Sequence, residues 1–404
     1  LANCCIKGGF RASLSFIRKR DILKIIAPIT ITDSNLTYSN VSGTDNPAYN
    51  PIKLYISGET VQLANRNYES LTGSQSNVTI STSSPATITW NNHGLVLNTP
   101  IQFSTTGSLP TGLSVGTTYY VISPSTTSFN VALTPNGSPI ATSGTQSGVH
   151  TARASNNIGK DPTTATTFWL DLGTVNKYKM FDTSVQSQTV NSGSIVTVIQ
   201  VSGYSSHVAL LNIVGTDANV VMTHPTDGVV YNQTKSLRSS SGITDWFKYF
   251  FTPSNPITDL VFDGIPNYAN TTITVTINNA GGSAACGACL IGFAKDISSQ
   301  KAGVEQGAKL TLDDYSLKTP DAFGNYTIKE RAFARRAAWT VYIDGKDVDG
   351  AYNLLSSRRA IPTLYIGGKD YGSNLVYGFF RSFDITINYI DFPAVCSIEL
   401  AGLT

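Results

Sequence analysis

The sequence predicts an all-β protein of several domains, and three observations carry that expectation. Long apolar periodicities of helical spacing are missing, whereas short alternating runs recur between Gly, Pro and Asn turn signals from end to end. Among 404 residues there are 34 Gly and 17 Pro and only 13% are charged, a balance that favours sandwiches, jelly rolls and barrels over alternating helix–strand units. A shift to Ser, Thr and Gly then sets one internal stretch apart from its flanks. The expected architecture is therefore multi-domain and β-sandwich or jelly-roll-like, with a small β-meander, an inserted β-domain and one short helix near the C-terminus.

Residues 1–26 form a basic N-terminal arm, in which Lys7, Arg11, Arg18, Lys19, Arg20 and Lys24 are opposed only by Asp21. Because IRKR follows the apolar ASLSF rather than preceding it, a secretory signal peptide is not expected. Residues 27–41 alternate as a first strand, with Ile29 and Ile31 on one side and Thr30 and Thr32 on the other.

Residues 27–77 plus 153–182 are expected to form one β-meander split by an insertion. Its first half, AYNPIKLYISGETVQLANRNYESL (48–71), offers Leu54, Ile56, Val61 and Leu63 as apolar positions, a turn at Gly58-Glu59, and Tyr68. Its second half, NNIGKDPTTATTFWLDLGTVNKYKMFD (156–182), supplies a turn at residues 159–162 and then Phe168, Trp169 and Leu170, bulk enough to close a small core. Residues 78–152 are the insertion, with SNVTIST and GVHTARAS as paired entering and leaving strands, because an inserted domain survives where its two ends lie close together. Inside it ATITW, TPIQFS, TYYVIS and SFNVAL alternate, Asn136-Gly137 signals a type I′ turn, and Phe103, Tyr120, Phe129 and Val131 are the expected core. His93 and His150 have no carboxylates near them in sequence and are expected at strand ends rather than as ligands.

Residues 183–290 read as a β-sandwich. SIVTVIQVS, HVALLNIVG, NVVMTHP, TDWFKYFFTP, DLVFDGI and TTITVTINNAGG follow one another as strands, the continuous apolar runs implying burial on both faces. Residues 291–404 form a further β-rich segment packing on that sandwich. Here AWTVYID turns Trp339, Val341 and Ile343 inward, and residues 347–359 suit a helix capped by Asp347 with Val348, Tyr352 and Leu355 on one face. LVYGFFRSFDITINY and CSIELAGL complete it, with Phe383, Ile385, Ile387 and Tyr389 buried.

The order Tyr55, Gly58, Val61, Tyr68, Pro162, Trp169 resembles the small chitin-binding type of carbohydrate-binding module, although Ala48-Tyr49-Asn50 stands where that family has Trp. Continuing through WLDLGTVNKYKMFD, it is similar to a family of tailed-bacteriophage virion proteins. NNHGLVLNTPIQFSTTGSLPTGLSVGTTYYVIS (91–123) looks like a module of phage tail and fibre proteins. DDYSLKTPDAFGNYTIKERAFARR (313–336) and SIELAGL (397–403) look like the end of the same virion family. The resemblance implies a structural component of a tailed-phage virion, in the tail tip, baseplate or fibre-attachment region or at the head–tail collar. Its implied partners are other copies of itself, other virion proteins and host-surface polysaccharide. A free-standing carbohydrate-binding adhesin and a polysaccharide depolymerase are the alternatives.

The formal net charge of +2 leaves no electrostatic footprint for nucleic acid or an anionic membrane, and no run approaches the about 18 apolar residues that would suggest a bilayer span. Cys4, Cys5, Cys286, Cys289 and Cys396 are neither a disulfide framework nor a zinc set, since Cys286-Gly-Ala-Cys289 lacks two further ligands at suitable spacing. GxSxG, HExxH and Walker motifs do not occur, and Asp313-Asp314, Glu330-Arg331, Asp344 and Asp347 are not placed by sequence as the paired carboxyls of a glycosidase. No catalytic residue, cofactor or metal is expected. Glycan contact would fall on Tyr55, Tyr68 and Trp169 in the meander and on Tyr119 or Tyr120 in the insertion. The both-sign set Asp313, Asp314, Arg331, Arg335 and Arg336 suits an intersubunit contact better than a nucleic-acid patch.

Overall fold

The computed structural model describes residues 22–239, 245–251, 255–297, 304, 308–368, 374–388 and 393–403. It is all-β, with several sheets, a small closed barrel and one short helix near the C-terminus. The basic arm lies outside the described residues up to position 21; Lys24 instead opens a strand and bonds Asp296 at 3.0 Å. The chain divides into two compact units, one comprising Ser42–Tyr178 and the other the described residues before and after it.

In the smaller unit, Thr60–Leu63 and Arg66–Ser70 pair as a hairpin. Its two-residue loop, Ala64-Asn65, has φ of 50° and 61°, the left-handed pair that matches the twist of the flanking strands. The hairpin turn therefore lies at Ala64-Asn65 and not at Gly58-Glu59, where Glu59 instead accepts the Ile56 N–H at 3.0 Å. Trp169–Thr174 adds antiparallel to Arg66–Ser70, with Trp169 opposite Ser70. The strands that flank the insertion are thus direct neighbours.

Between them Ser74–Ile80, Ile88–Thr89, Pro100–Thr105, Tyr119–Ile122, Ser128–Ala132 and His150–Ala154 close a barrel. The entering and leaving strands pair from Ser74 opposite Ala154 to Val78 opposite His150. Gly73, at φ 103°, makes the entry: a Cβ there would run into the Tyr55 carbonyl oxygen. Ile101, Phe103, Tyr119, Phe129 and Val131 fill the barrel. Tyr119 rather than Tyr120 points inward because it stands opposite the buried Ile101, and its hydroxyl accepts the Ser114 N–H at 2.8 Å. Asn136 alone of the Asn136-Gly137 pair is left-handed, at φ 54°. The strand before that turn pairs with Tyr119–Ile122 and Ile88–Thr89 instead, so no type I′ hairpin forms.

Among the described residues of the larger unit, one hydrogen-bonded sheet of thirteen strands runs through the residues expected to form two separate segments. Its axis is Thr271–Asp296, which pairs with Thr189–Val201, His207–Val214, Asp217–His224 and Lys24–Pro28 at different points along its length. The expected boundary at residue 27 does not hold. Lys24–Pro28 bonds Thr271–Asp296 on one edge and Thr363–Ile366 on the other, and Leu36–Ser39 pairs with Thr189–Val201, so both belong to this sheet.

Burial follows the pleat. Ile26, Leu364, Leu375 and Tyr377 enter one core with Ala209, Leu211 and Leu290. Ile25, Tyr365 and Val376, next along each strand, enter a second core with Trp339, Val341 and Cys396. Of the strands expected to be buried on both faces, His207–Val214 is, whereas Thr189–Val201 and Asp217–His224 alternate.

Three further expectations change. TDWFKYFFTP contributes the helix Trp246–Phe251 instead of a strand; Trp246 stacks on Phe250 and Phe247 meets Phe251 at 4.8 Å, the one-turn spacing of a helix. Ile387 is exposed because its strand ends at Thr386, and Tyr389 lies outside the described residues. The helix near the C-terminus is Val348–Ser356, with Asp347 at the N-cap position but no side-chain capping bond, and Val348, Ala351 and Leu355 buried. Tyr352 is exposed and meets Phe383 edge-on at 5.8 Å. No helix among the described residues is long and apolar enough to cross a membrane.

His207 lies where three strands meet, and burial first, then Lys24, pushes its pKa down to about 4 against the opposing pull of Asp263 and Asp296. The unfolded imidazole takes a proton near pH 6.5, so stability present above that pH is lost as pH falls towards 4, by about 2 kcal/mol after allowance for solvent screening. Urea titrations at pH 7 and 4.5 should show this loss, and His207→Gln should flatten it. Replacing the barrel, 74–154, with a short Gly-Ser linker is expected to leave a cooperative transition, lowered by about 1–3 kcal/mol through the loss of the Arg153–Glu59 and Gln102–backbone contacts. A broad, non-cooperative transition would show instead that the meander cannot close alone.

Candidate functional site

The aromatic residues proposed for glycan contact converge, but inward. Tyr55, Val61, Tyr68 and Trp169 form the buried core of the meander. The Trp169 ring meets Tyr55 edge-on at 5.2 Å and Tyr49 at 5.7 Å, and Tyr49 stacks on Tyr55 at 5.8 Å. Trp169 Nε1 and the Tyr49 hydroxyl both donate to the Lys160 carbonyl, at 2.9 and 3.0 Å. Burial raises the pKa of Tyr49, Tyr55 and Tyr68, so the phenols stay neutral. Tyr55, Tyr68 and Trp169 are therefore core residues and form no stacking platform. In so small a three-stranded sheet these rings supply most of the bulk that excludes water, with Val61, Leu63 and Phe168 packed against them.

Asn157, unmarked in the sequence reading, holds this core together. Fully buried, it accepts the Tyr55 N–H at 3.2 Å and donates to the Tyr55 carbonyl at 2.8 Å and the Ser70 hydroxyl at 3.0 Å. It thereby joins the segment after the barrel to the segment before it. Its one sequence signal is the polar NN pair ahead of the turn at 159–162, which any loop shares.

On the barrel, Tyr119 is buried and Tyr120 is half-buried on the outer face. The barrel instead carries a groove of about 460 Å³ lined by Asn77, Thr79, Gln146, Ser147 and His150 together with Val78, Ile80 and Val149. His150 is fixed there, Nδ1 to the Thr105 hydroxyl at 2.8 Å and Nε2 to Gln146 Oε1 at 3.0 Å. This lining is uncharged and mixed: amide, hydroxyl and imidazole groups, the chemistry that exchanges hydrogen bonds with sugar hydroxyls, stand among Val78, Ile80 and Val149, of which Val78 and Ile80 also belong to the barrel core. His93 is buried against Trp90 and Phe129 and accepts the Leu95 N–H at 2.9 Å.

The charged set does not stand free. Arg335 pairs with the buried Asp259 at 2.6 Å, and Asp259 also accepts the Asn212 N–H at 3.0 Å. Arg336 Nε lies 2.5 Å from Asp313 as an ion pair rather than an aligned hydrogen bond. Asp314 bonds Lys318 at 2.7 Å, which with the Ser316 donors holds its carboxyl well below the usual range. Arg331 is exposed, its N–H donating to Ser316 Oγ at 3.1 Å. Four of the five residues expected at an intersubunit contact are thus in ion pairs within the chain.

Beside Arg335 opens a mostly apolar pocket of about 290 Å³, lined by Leu211, Phe333, Leu375, Tyr377 and Leu403. Cys286, Cys289 and Cys396 are buried free thiols whose pKa burial pushes up, to about 12 for Cys289 and Cys396. Cys4 and Cys5 lie outside the described residues. Among the described residues no group of three or more His, Cys, Asp and Glu gathers at metal-binding distance. No protein-family model, curated protein or solved structure matches the chain.

Trp169→Ala should destabilise the smaller unit by about 3–5 kcal/mol, because it empties the centre of a core and strips the Lys160 carbonyl of a donor. Tyr120→Ala, on an outer face, should change stability by less than about 1 kcal/mol. Thermal unfolding of the two variants tests the contrast, and a near-neutral Trp169→Ala would return that residue to the surface.

Proposed function

We propose that this chain is a non-enzymatic structural component of a tailed-phage virion, in the tail tip, baseplate or fibre-attachment region, where copies associate symmetrically with one another and with other virion proteins. The observation that carries the assembly reading is the apolar surface of the larger unit around residues 310–328. Leu310, Leu312, Tyr315, Leu317, Phe323, Tyr326 and Ile328 are all exposed. Apolar patches beyond a few hundred Å² are rare on proteins that act alone. The three blocks of resemblance to phage tail proteins supply the virion context. In this reading the barrel groove faces host-surface polysaccharide, with its uncharged, mixed polar and apolar lining in place of the buried aromatic residues.

The groove by itself would equally serve a free-standing carbohydrate-binding adhesin, which is the second reading. Light scattering on the purified chain, glycan titration and a reducing-end assay separate the possibilities. A defined oligomer that releases no reducing ends is expected. A monomer with saturable glycan binding would favour the adhesin, and release of reducing ends would make the protein a depolymerase.

A further inference from the structure

Leu317–Pro320 and Tyr326–Lys329 pair only with each other among the described residues, and every residue of both strands is exposed. An isolated two-stranded ribbon is marginal in water, yet this one turns large apolar groups outward. Tyr315 is 52% exposed, Leu317 48%, Phe323 91%, Tyr326 64% and Ile328 67%. The register gathers part of this surface on one face: Pro320 stands opposite Tyr326, and Lys318, two residues earlier, opposite Ile328.

The tip is held in shape. Asp321 Oδ1 accepts the N–H groups of Phe323 and Asn325, both at 2.8 Å, Oδ2 accepts Asn325 Nδ2 at 3.1 Å, and Gly324 turns the chain at φ 85°. The Asn325 and Phe323 donors keep the Asp321 carboxyl below its usual range, so at neutral pH it remains the charged acceptor the turn needs. A preorganised turn presenting a bare phenyl ring loses little freedom when that ring is covered.

The complement is on the same chain. Phe333 and Arg335, on the strand that continues from the ribbon, line the pocket of about 290 Å³. An apolar cavity of about 150 Å³ accepts benzene, so a phenyl ring fits. Arg335, anchored by Asp259 at 2.6 Å, offers a guanidinium for the ring to rest against.

We propose that the ribbon is an arm that docks on a second copy of this chain, with Phe323 seated in the second copy's pocket beside Arg335. The proposal deepens the assembly reading and rests on it. A second copy is the occupant because knob and hole occur together on one chain, while the exposure of Phe323 shows that it does not fill its own pocket. Area points the same way: Phe323, Tyr326 and Ile328, at up to about 200 Å² each and at these exposures, supply about 400 Å², half of the about 800 Å² each partner brings to a stable interface, and Pro320 and the Lys318 stem on the same face add to it. Arg335 and Asp259 then stay paired within each copy, and the contact is made by the ring rather than by crossing charges.

The test uses the full chain with Phe323→Asp, which spoils the knob, and Leu403→Trp, which fills the hole, each checked for cooperative unfolding and an unchanged far-UV spectrum. Phe323→Ala serves as a second knob variant without added charge, and sizes are read by light scattering. The wild type should be oligomeric. Each variant should dissociate at least about 100-fold more readily. A 1:1 mixture of Phe323→Asp and Leu403→Trp should recover a two-copy complex, since one retains the hole and the other the knob. An oligomer unchanged by all three substitutions would overturn this contact and leave the assembly reading standing. A wild type monomeric at every concentration would remove this contact and the self-association in the assembly reading. A monomer whose binding to tailed virions is lost in Phe323→Asp would hand the arm to a different virion protein and overturn the second-copy assignment.

Discussion

The larger unit depends on one short strand. Lys24–Pro28 fills the gap between Thr271–Asp296 and Thr363–Ile366, and among the described residues no other strand pairing joins those two parts of the sheet. Its side chains divide between the cores, Ile25 into the one built around Trp339 and Ile26 into the one built around Leu211 and Leu290. Removing five residues would therefore leave backbone donors and acceptors unpaired on two strands and open both cores at once. A buried unpaired backbone group costs about as much as a lost hydrogen bond. Contacts this distant in sequence are made only after long loops have closed.

The smaller unit meets the same difficulty by a different route. A three-stranded sheet is too small to exclude water with aliphatic side chains, so it invests its aromatic residues inward and ties its interrupted chain with Asn157. That commitment removes Tyr55, Tyr68 and Trp169 from any surface role. The barrel, in contrast, carries a groove in which Asn77, Thr79, Gln146, Ser147 and His150 stand among Val78, Ile80 and Val149.

Charge in the C-terminal part is likewise spent internally. Pairing Arg335 with Asp259 and Arg336 with Asp313 neutralises the strand that buries Trp339. What the ribbon beyond that strand offers outward is apolar, around a turn organised by Asp321. An interface of that kind gains from water excluded by aromatic rings more than from salt bridges at its rim.

Local physics was legible in the sequence. Alternation in Ile273, Val275 and Ile277 and in Trp339, Val341 and Ile343 marks one wet and one dry side of a strand, and both sets are buried as that pattern requires. The stretch set apart by its composition coincides with the closed barrel, whose core of Trp90, Phe103, Tyr119 and Phe129 with Ile and Val is filled from its own strands, while barrel and meander together make one compact unit. Other features depend on partners far away in the chain. Whether Tyr119 or Tyr120 faces inward is a matter of which one meets Ile101. WFKYFF became a helix although its composition suits a strand, its rings meeting one turn apart. Tyr55, Tyr68 and Trp169 look alike in sequence whether they serve a ligand or a core, because an aromatic ring suits both; only the closing of three strands around them decides. The same holds for Arg335, whose partner Asp259 lies 76 residues earlier and is brought beside it by folding alone.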